Sequence, residues 1–322
     1  MKNMFFLLLF SIFLISGCQS VSFEVPKTEN PYLILSHVKD PKITYMDLST
    51  YEILNTVDNP YLINRFEKLR GQQYLATSPT HDSLLLYDFE EGFVENFKSL
   101  HKGLTDIYYH APLNQIYIAD TEHNKIHVIQ SDTRETIAEI SVNQHPAEFY
   151  YESESEELYV LHTTAHSLLT IDVHTNQITN EFPVIERPSG IYIDREIIWI
   201  GGHGPLGELN NKLYGYSMSG ELVHELEVGL MPIALHGDTE SDHLYVVCHG
   251  DHMIYQVDLV TKEVVTTSPV GQNPNYINIY GDSIYISNLD ESSLSILNKK
   301  TWQSKTIHVD QGPYQMIVEE NQ

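Results

Sequence analysis

Along most of the chain, apolar and polar positions alternate in short runs rich in Val, Ile, Tyr and Leu, broken by Gly, Asp, Asn, Ser and Thr. A period of two with such breaks predicts consecutive antiparallel strands, and no stretch of helical periodicity competes. Within residues 231–272 the pattern predicts strands at Ile233–His236, Leu244–Cys248, Met253–Leu259 and Val264–Ser268, a four-stranded meander. That unit recurs. A Pro opening a short apolar strand stands at Pro60, Pro146, Pro188, Pro232, Pro274 and Pro313, with Leu104 in its place between the first two. An aromatic in a later strand recurs at Tyr32, Tyr74, Tyr117, Tyr159, Trp199, Tyr245 and Tyr285, at spacings of 40 to 46 residues. Four strands at a period slightly above 40 residues are the signature of propeller blades.

The chain's ends complete the pattern. The first repeat has strands at Tyr32–Ser36, Ile43–Leu48 and Tyr51–Val57 but no innermost strand, while Gly312–Val318 reads as an innermost strand with nothing after it. Paired, the two fragments make one blade and remove an open edge. The expectation is an all-β, single-domain, seven-bladed β-propeller over residues 31–322. Its blades are four-stranded and antiparallel, and the C-terminal strand joins the N-terminal blade to close the ring.

The segments Gly271-Gln272-Asn273-Pro274, Ile284-Tyr285-Ile286-Ser287-Asn288 and Leu294-Ser295-Ile296-Leu297-Asn298 follow one another in the order of the YVTN-type propeller repeat, as do Leu158–His162 and Leu169–Val173. The chain resembles that family from about Tyr32 to Val318. The resemblance implies the fold and leaves function open, because such propellers include binding proteins, scaffolds and enzymes. His162, Gly202 and Cys248 depart from it, standing where the repeat has Asn.

The amino terminus has a different character. Lys2 precedes an apolar run from Met4 to Ile15, too short to span a bilayer, which predicts a signal peptide over residues 1–17. Leu14-Ile15-Ser16-Gly17-Cys18 resembles the lipobox of bacterial lipoproteins. By that resemblance Cys18 becomes the lipidated first residue (diacylglycerol, with palmitate-type acyl chains), followed by a tether over residues 18–30. The implied location is the extracytoplasmic side of a cell membrane in a bacterial envelope, held by a lipid anchor whose acyl chains each bury about 0.8 kcal/mol per methylene.

Cys248 is the one other cysteine, so a lipidated Cys18 leaves no intramolecular disulfide. With 322 residues, 42% of them hydrophobic, the chain can bury a sizeable core. A net charge of −26 without a Lys/Arg cluster argues against nucleic acid as a partner. A monomer is expected, with a small ligand or another envelope protein as partner.

Propeller topology sorts the polar residues. Loops entering the innermost strands and loops between second and third strands share one face, here called the first face. It carries the candidate ligand-binding residues Asp120, His145, His162, Arg187, His203, His249 and Asn288; the opposite face carries acidic turns such as residues 152–157 and 238–242. His162, His203 and His249, one blade period apart, offer an alternative zinc or copper site, with Met231 or Cys248 adding soft character. Each imidazole also suits a purely structural bond to a neighbouring loop, and no cofactor is predicted. The longest connection, residues 201–212, is Gly-rich and suits a recognition loop. A lactonase-like or lyase-like enzyme built from His145, His162, Arg187 and His203 is the runner-up, but no catalytic motif is present. The reading favoured is a binding or scaffold module.

Overall fold

The computed structural model describes residues 20–238 and 241–320. The predicted signal peptide and the lipidation residue Cys18 lie outside the described residues. The described chain forms seven antiparallel sheets arranged as blades; apart from one 3-10 turn at Ala111–Leu113 its regular structure is all strand. Blade 1 joins the C-terminal strand Pro313–Glu319 to Tyr32–His37, Lys42–Asp47 and Ile53–Asp58, which closes the ring as the chain ends predict. The innermost strands of blades 2 to 7 are Arg65–Arg70, Leu104–His110, Pro146–Glu152, Pro188–Asp194, Pro232–Asp238 and Pro274–Tyr280. Five of the six marker prolines open an innermost strand. Pro60 does not: its strand begins at Arg65, and Asn59 is instead buried, accepting a hydrogen bond from the Tyr87 hydroxyl at 2.7 Å.

The core is divided into slabs between blades. Each blade interface holds one apolar cluster, such as Tyr117, Val128, Val160 and Leu169 between blades 3 and 4, or Trp199, Leu213, Val246 and Val257 between blades 5 and 6. All seven aromatic markers are buried within these slabs. Large rings at this position fill the widening gap between neighbouring sheets, which explains why the repeat keeps an aromatic there.

The third strands end in Asp or Asn in five blades: Asp47, Asp88, Asp172, Asp258 and Asn298. Each side chain accepts the backbone N–H groups two and three residues on, as Asp258 does from Val260 and Thr261 at 2.8 Å. The acceptor makes a tight turn into the outer strand without a separate loop.

One element departs from expectation. Within the stretch read as a tether, Val21–Ser22 pairs antiparallel with the outer strand Phe93–Ser99 and gives blade 2 a fifth strand. Phe23 then packs its ring 5.9 Å from Tyr87 and 5.7 Å from Phe89. An aromatic side chain next to an unpaired sheet edge overrides the polar composition around it.

Candidate functional site

Asp120, Asn288, His162 and His145 of the first face each sit in a local setting of their own. Asp120 is fully buried and occupied: it accepts from the His123 backbone and Nδ1 and lies 3.2 Å from His127 Nε2, pinning a turn of blade 3. Asn288 is buried with its amide donating to Ser293 and Ser295 hydroxyls at 3.0 and 2.9 Å. His162 is buried inside blade 4, where desolvation lowers its pKa and keeps the imidazole neutral. His145 is at the surface, its Nδ1 2.8 Å from the Thr163 hydroxyl. Of the expected imidazole trio, His203 and His249 do meet, with ring centroids 5.0 Å apart. Among the described residues no three His, Cys, Asp or Glu side chains are grouped to hold a metal ion, so the His162, His203, His249 arrangement does not form. Cys248 is buried in the core with its thiol pushed up in pKa by burial.

The polar convergence lies instead on the axis. A cavity of about 610 Å³ is lined by the innermost strands, with Arg65, Asp106 and Glu148 on blades 2 to 4, Tyr276 and Tyr314 on blades 7 and 1, and Ser189, Ile191 and Ala234 on blades 5 and 6. Asp106, Glu148, Ala234 and Tyr276 occupy one column of the repeat, two positions after the strand-opening Pro or Leu104; Arg65 opens its own strand, and Tyr314 comes one position after Pro313. In blades 4, 6 and 7 the pairing of first and second strands shifts register immediately before that position, between Pro146 and Glu148 or Pro232 and Ala234 for example, and in blade 5 the shift falls between Ser189 and Ile191. Bulges of this kind twist a strand and re-aim the next side chain, here toward the axis.

Carboxylates in this column also tie blades together. Asp106 Oδ2 accepts from the Phe149 N–H at 2.7 Å, Glu148 Oε2 from the Gly190 N–H at 2.9 Å and, one pair of positions further along, Glu67 Oε1 from the Tyr109 N–H at 3.0 Å. Gln315 does the same with Phe66, accepting from its N–H and donating to its carbonyl at 3.0 Å. Arg65 Nε donates to Asp106 Oδ1 at 2.8 Å, and its guanidinium sits 5.5 Å from the Tyr276 ring centroid. Desolvation works to lower the Arg65 pKa, but Asp106, Tyr276 and Glu148 outweigh it and the guanidinium stays charged. Burial raises Glu148 to about 7 even though Arg65 pulls it down, and burial raises Glu67 likewise to about 7.

The site thus presents a charged wall on blades 2 to 4 facing a lining without acidic or Lys/Arg side chains, in which aliphatic groups such as Ile191, Ile233 and Leu235 mix with Tyr192, His236, Tyr276 and Tyr314. The hydrogen bond to Asp106 runs through Arg65 Nε, and the Arg65 side chain lines the cavity and is partly exposed. A guanidinium held at Nε by a buried carboxylate is suited to binding an oxyanion through its terminal nitrogens. The reading of the sequence missed this site. The signal was present in Asp106 and Glu148, acidic residues inside otherwise apolar innermost strands.

The sequence matches no family model and no curated protein. Solved structures do share the fold. Hydrazine synthase of Kuenenia stuttgartiensis is 14% identical over 90% of this chain and 99% of that one, with a TM-score of 0.72. The dihydro-heme d1 dehydrogenase NirN in complex with DHE is 11% identical over 92% and 79%, with a TM-score of 0.67. AztD of Citrobacter koseri is 10% identical over 90% and 97%, with a TM-score of 0.58. At these identities the likeness is one of fold. The chain is a seven-bladed β-propeller.

Proposed function

We propose that this protein is a lipid-anchored propeller of a bacterial envelope that binds a small carboxylate-bearing molecule in its axial cavity. One observation carries the ligand reading: the cavity falls in the size range of small-molecule sites and is lined by convergent polar groups, among them an Arg65 guanidinium held at Nε by Asp106. The anchor rests on the lipobox-like Leu14–Cys18, and the YVTN-type resemblance supports an envelope setting.

The ligand reading is tested by thermal unfolding with a panel of small carboxylates, amines and neutral sugars. At a hundred times Kd a bound compound stabilises by about 2.7 kcal/mol. Carboxylates are expected to raise the midpoint of the wild type and not that of Arg65→Met, which keeps the stem and removes the fork. Equal shifts in both proteins, or shifts confined to amines or sugars, would sink it. The anchor is tested separately by detergent-phase partitioning of the expressed protein, where Cys18→Ser is expected to move it to the aqueous phase.

A further inference from the structure

Outside the lining of the axial cavity, the first face gathers a second set of groups where blades 5 and 6 meet. His203 and His249 follow the second strands Ile197–Gly202 and His243–Cys248, so one blade period separates them in the chain and the ring sets them side by side. Their rings meet edge to face, 5.0 Å between centroids. Met231 precedes the innermost strand of blade 6, and its Sδ lies 3.1 Å from His249 Nε2. Backbone bonds hold the three in place. The His203 N–H donates to the Arg187 carbonyl at 3.0 Å, the Met231 N–H to the Asn210 carbonyl at 2.7 Å, the Asn210 N–H to the His203 carbonyl at 3.3 Å and the His249 N–H to the Met231 carbonyl at 3.1 Å. Met231 is held at a φ of 55°, a left-handed conformation uncommon for an unbranched apolar residue.

We propose that His203, His249 and Met231 form a binding site for monovalent copper, with two imidazole nitrogens and one thioether as ligands. Neutral imidazole is the ligating form, and burial, each ring's histidine neighbour and the nearby Arg187 charge all lower the pKa of these two rings. The thioether selects the ion: sulfur of this kind favours Cu(I), while zinc prefers thiolate, imidazole and carboxylate. Arg187 selects in the same direction, since its charge opposes a dication more than a monocation. Cys248 adds no ligand, because its thiol is buried in the core and protonated.

The experiment uses the full chain with Cys18→Ser, which leaves the buried Cys248 as its one thiol. The protein is titrated anaerobically into the Cu(I) complex of bicinchoninate. The wild-type site is expected to withdraw one equivalent, Met231→Leu to weaken binding by about tenfold or more, and His203→Ala to weaken it further. X-ray absorption at the copper edge should show a sulfur neighbour that Met231→Leu removes. Failure to withdraw copper would overturn the proposal. So would undiminished copper binding in both variants, or a stoichiometric Zn(II) site indifferent to Met231→Leu.

Discussion

At the scale of the residue, Glu148 couples the axial cavity to pH. Burial raises its folded-state pKa to about 7 from the ordinary 4.5, so the folded chain holds this proton more tightly than the unfolded chain. Its contribution to stability is therefore fully present below the ordinary value and is lost as pH rises through about 7, a loss of about 3 kcal/mol. Glu67 acts in the same direction. Asp47 acts oppositely: bonds from the Asn30 amide and the Thr50 and Ser49 N–H groups lower its pKa, so its contribution holds above the ordinary carboxylate range and fades only in acid. Denaturant unfolding is expected to show stability falling across the near-neutral range, and Glu148→Gln, which keeps an acceptor for Gly190, is expected to flatten that slope. An unchanged slope in the variant would show that Glu148 titrates normally. The residue was legible in the sequence as an acid inside an apolar strand, but its direction was not. A strand's two faces alternate, and the register shift at Pro146 decides which of them meets the axis.

At the scale of the element, period and turn chemistry made nearly every strand readable, with the Met231 unit observed at Pro232–Asp238, His243–Cys248, Met253–Asp258 and Glu263–Pro269. What escaped was structure made by long-range pairing alone. Val21–Ser22 carries no repeat of its own and becomes a strand because blade 2 offers an edge. Its fixing point is Phe23, whose N–H donates to the Gly92 carbonyl at 2.9 Å; Gly92 holds a φ of 72°, and a Cβ there would meet the Phe23 carbonyl oxygen at 2.5 Å. Phe23→Ala should cost about 1–3 kcal/mol, less than a fully buried Phe, because the ring is only partly enclosed. Hydrogen exchange should then quicken at residues 21–23 and along Phe93–Ser99 while the other blades keep their protection. Uniform loss of protection would mean that this strap is integral to the ring. The strap also bears on the proposed anchor: Gln19 and Ser20 alone separate Cys18 from it, a reach of at most ~10 Å, which would hold the outer edge of blade 2 against the membrane.

At the scale of the whole molecule, stability is a property of the closed ring, because each apolar slab needs both neighbouring blades. Pro313–Glu319 is the strand on which closure depends. It pairs along Tyr32–His37, Gln315 bonds both backbone groups of Phe66 in blade 2, and the Asn278 amide of blade 7 donates to the Met316 carbonyl at 3.0 Å. Removing residues 312–322 would strip these bonds and bare two slabs at once, the cluster of Leu33, Met46 and Tyr285 and the cluster of Ile34, Tyr45 and Phe66. It would also expose the edge of Tyr32–His37, whose six residues are all buried. A bare apolar edge pairs with other chains, so the truncated protein is expected to unfold at lower denaturant and to form larger species in size-exclusion chromatography. A peptide of residues 312–320 added in excess should restore the midpoint, because the missing strand contributes its bonds without needing a covalent link. Rescue would show that closure is a matter of strand pairing. A truncated chain that unfolds at the original midpoint and elutes unchanged would show that the other six blades hold the ring open-ended, as a solenoid does, and that the terminal pairing is not what stabilises the fold.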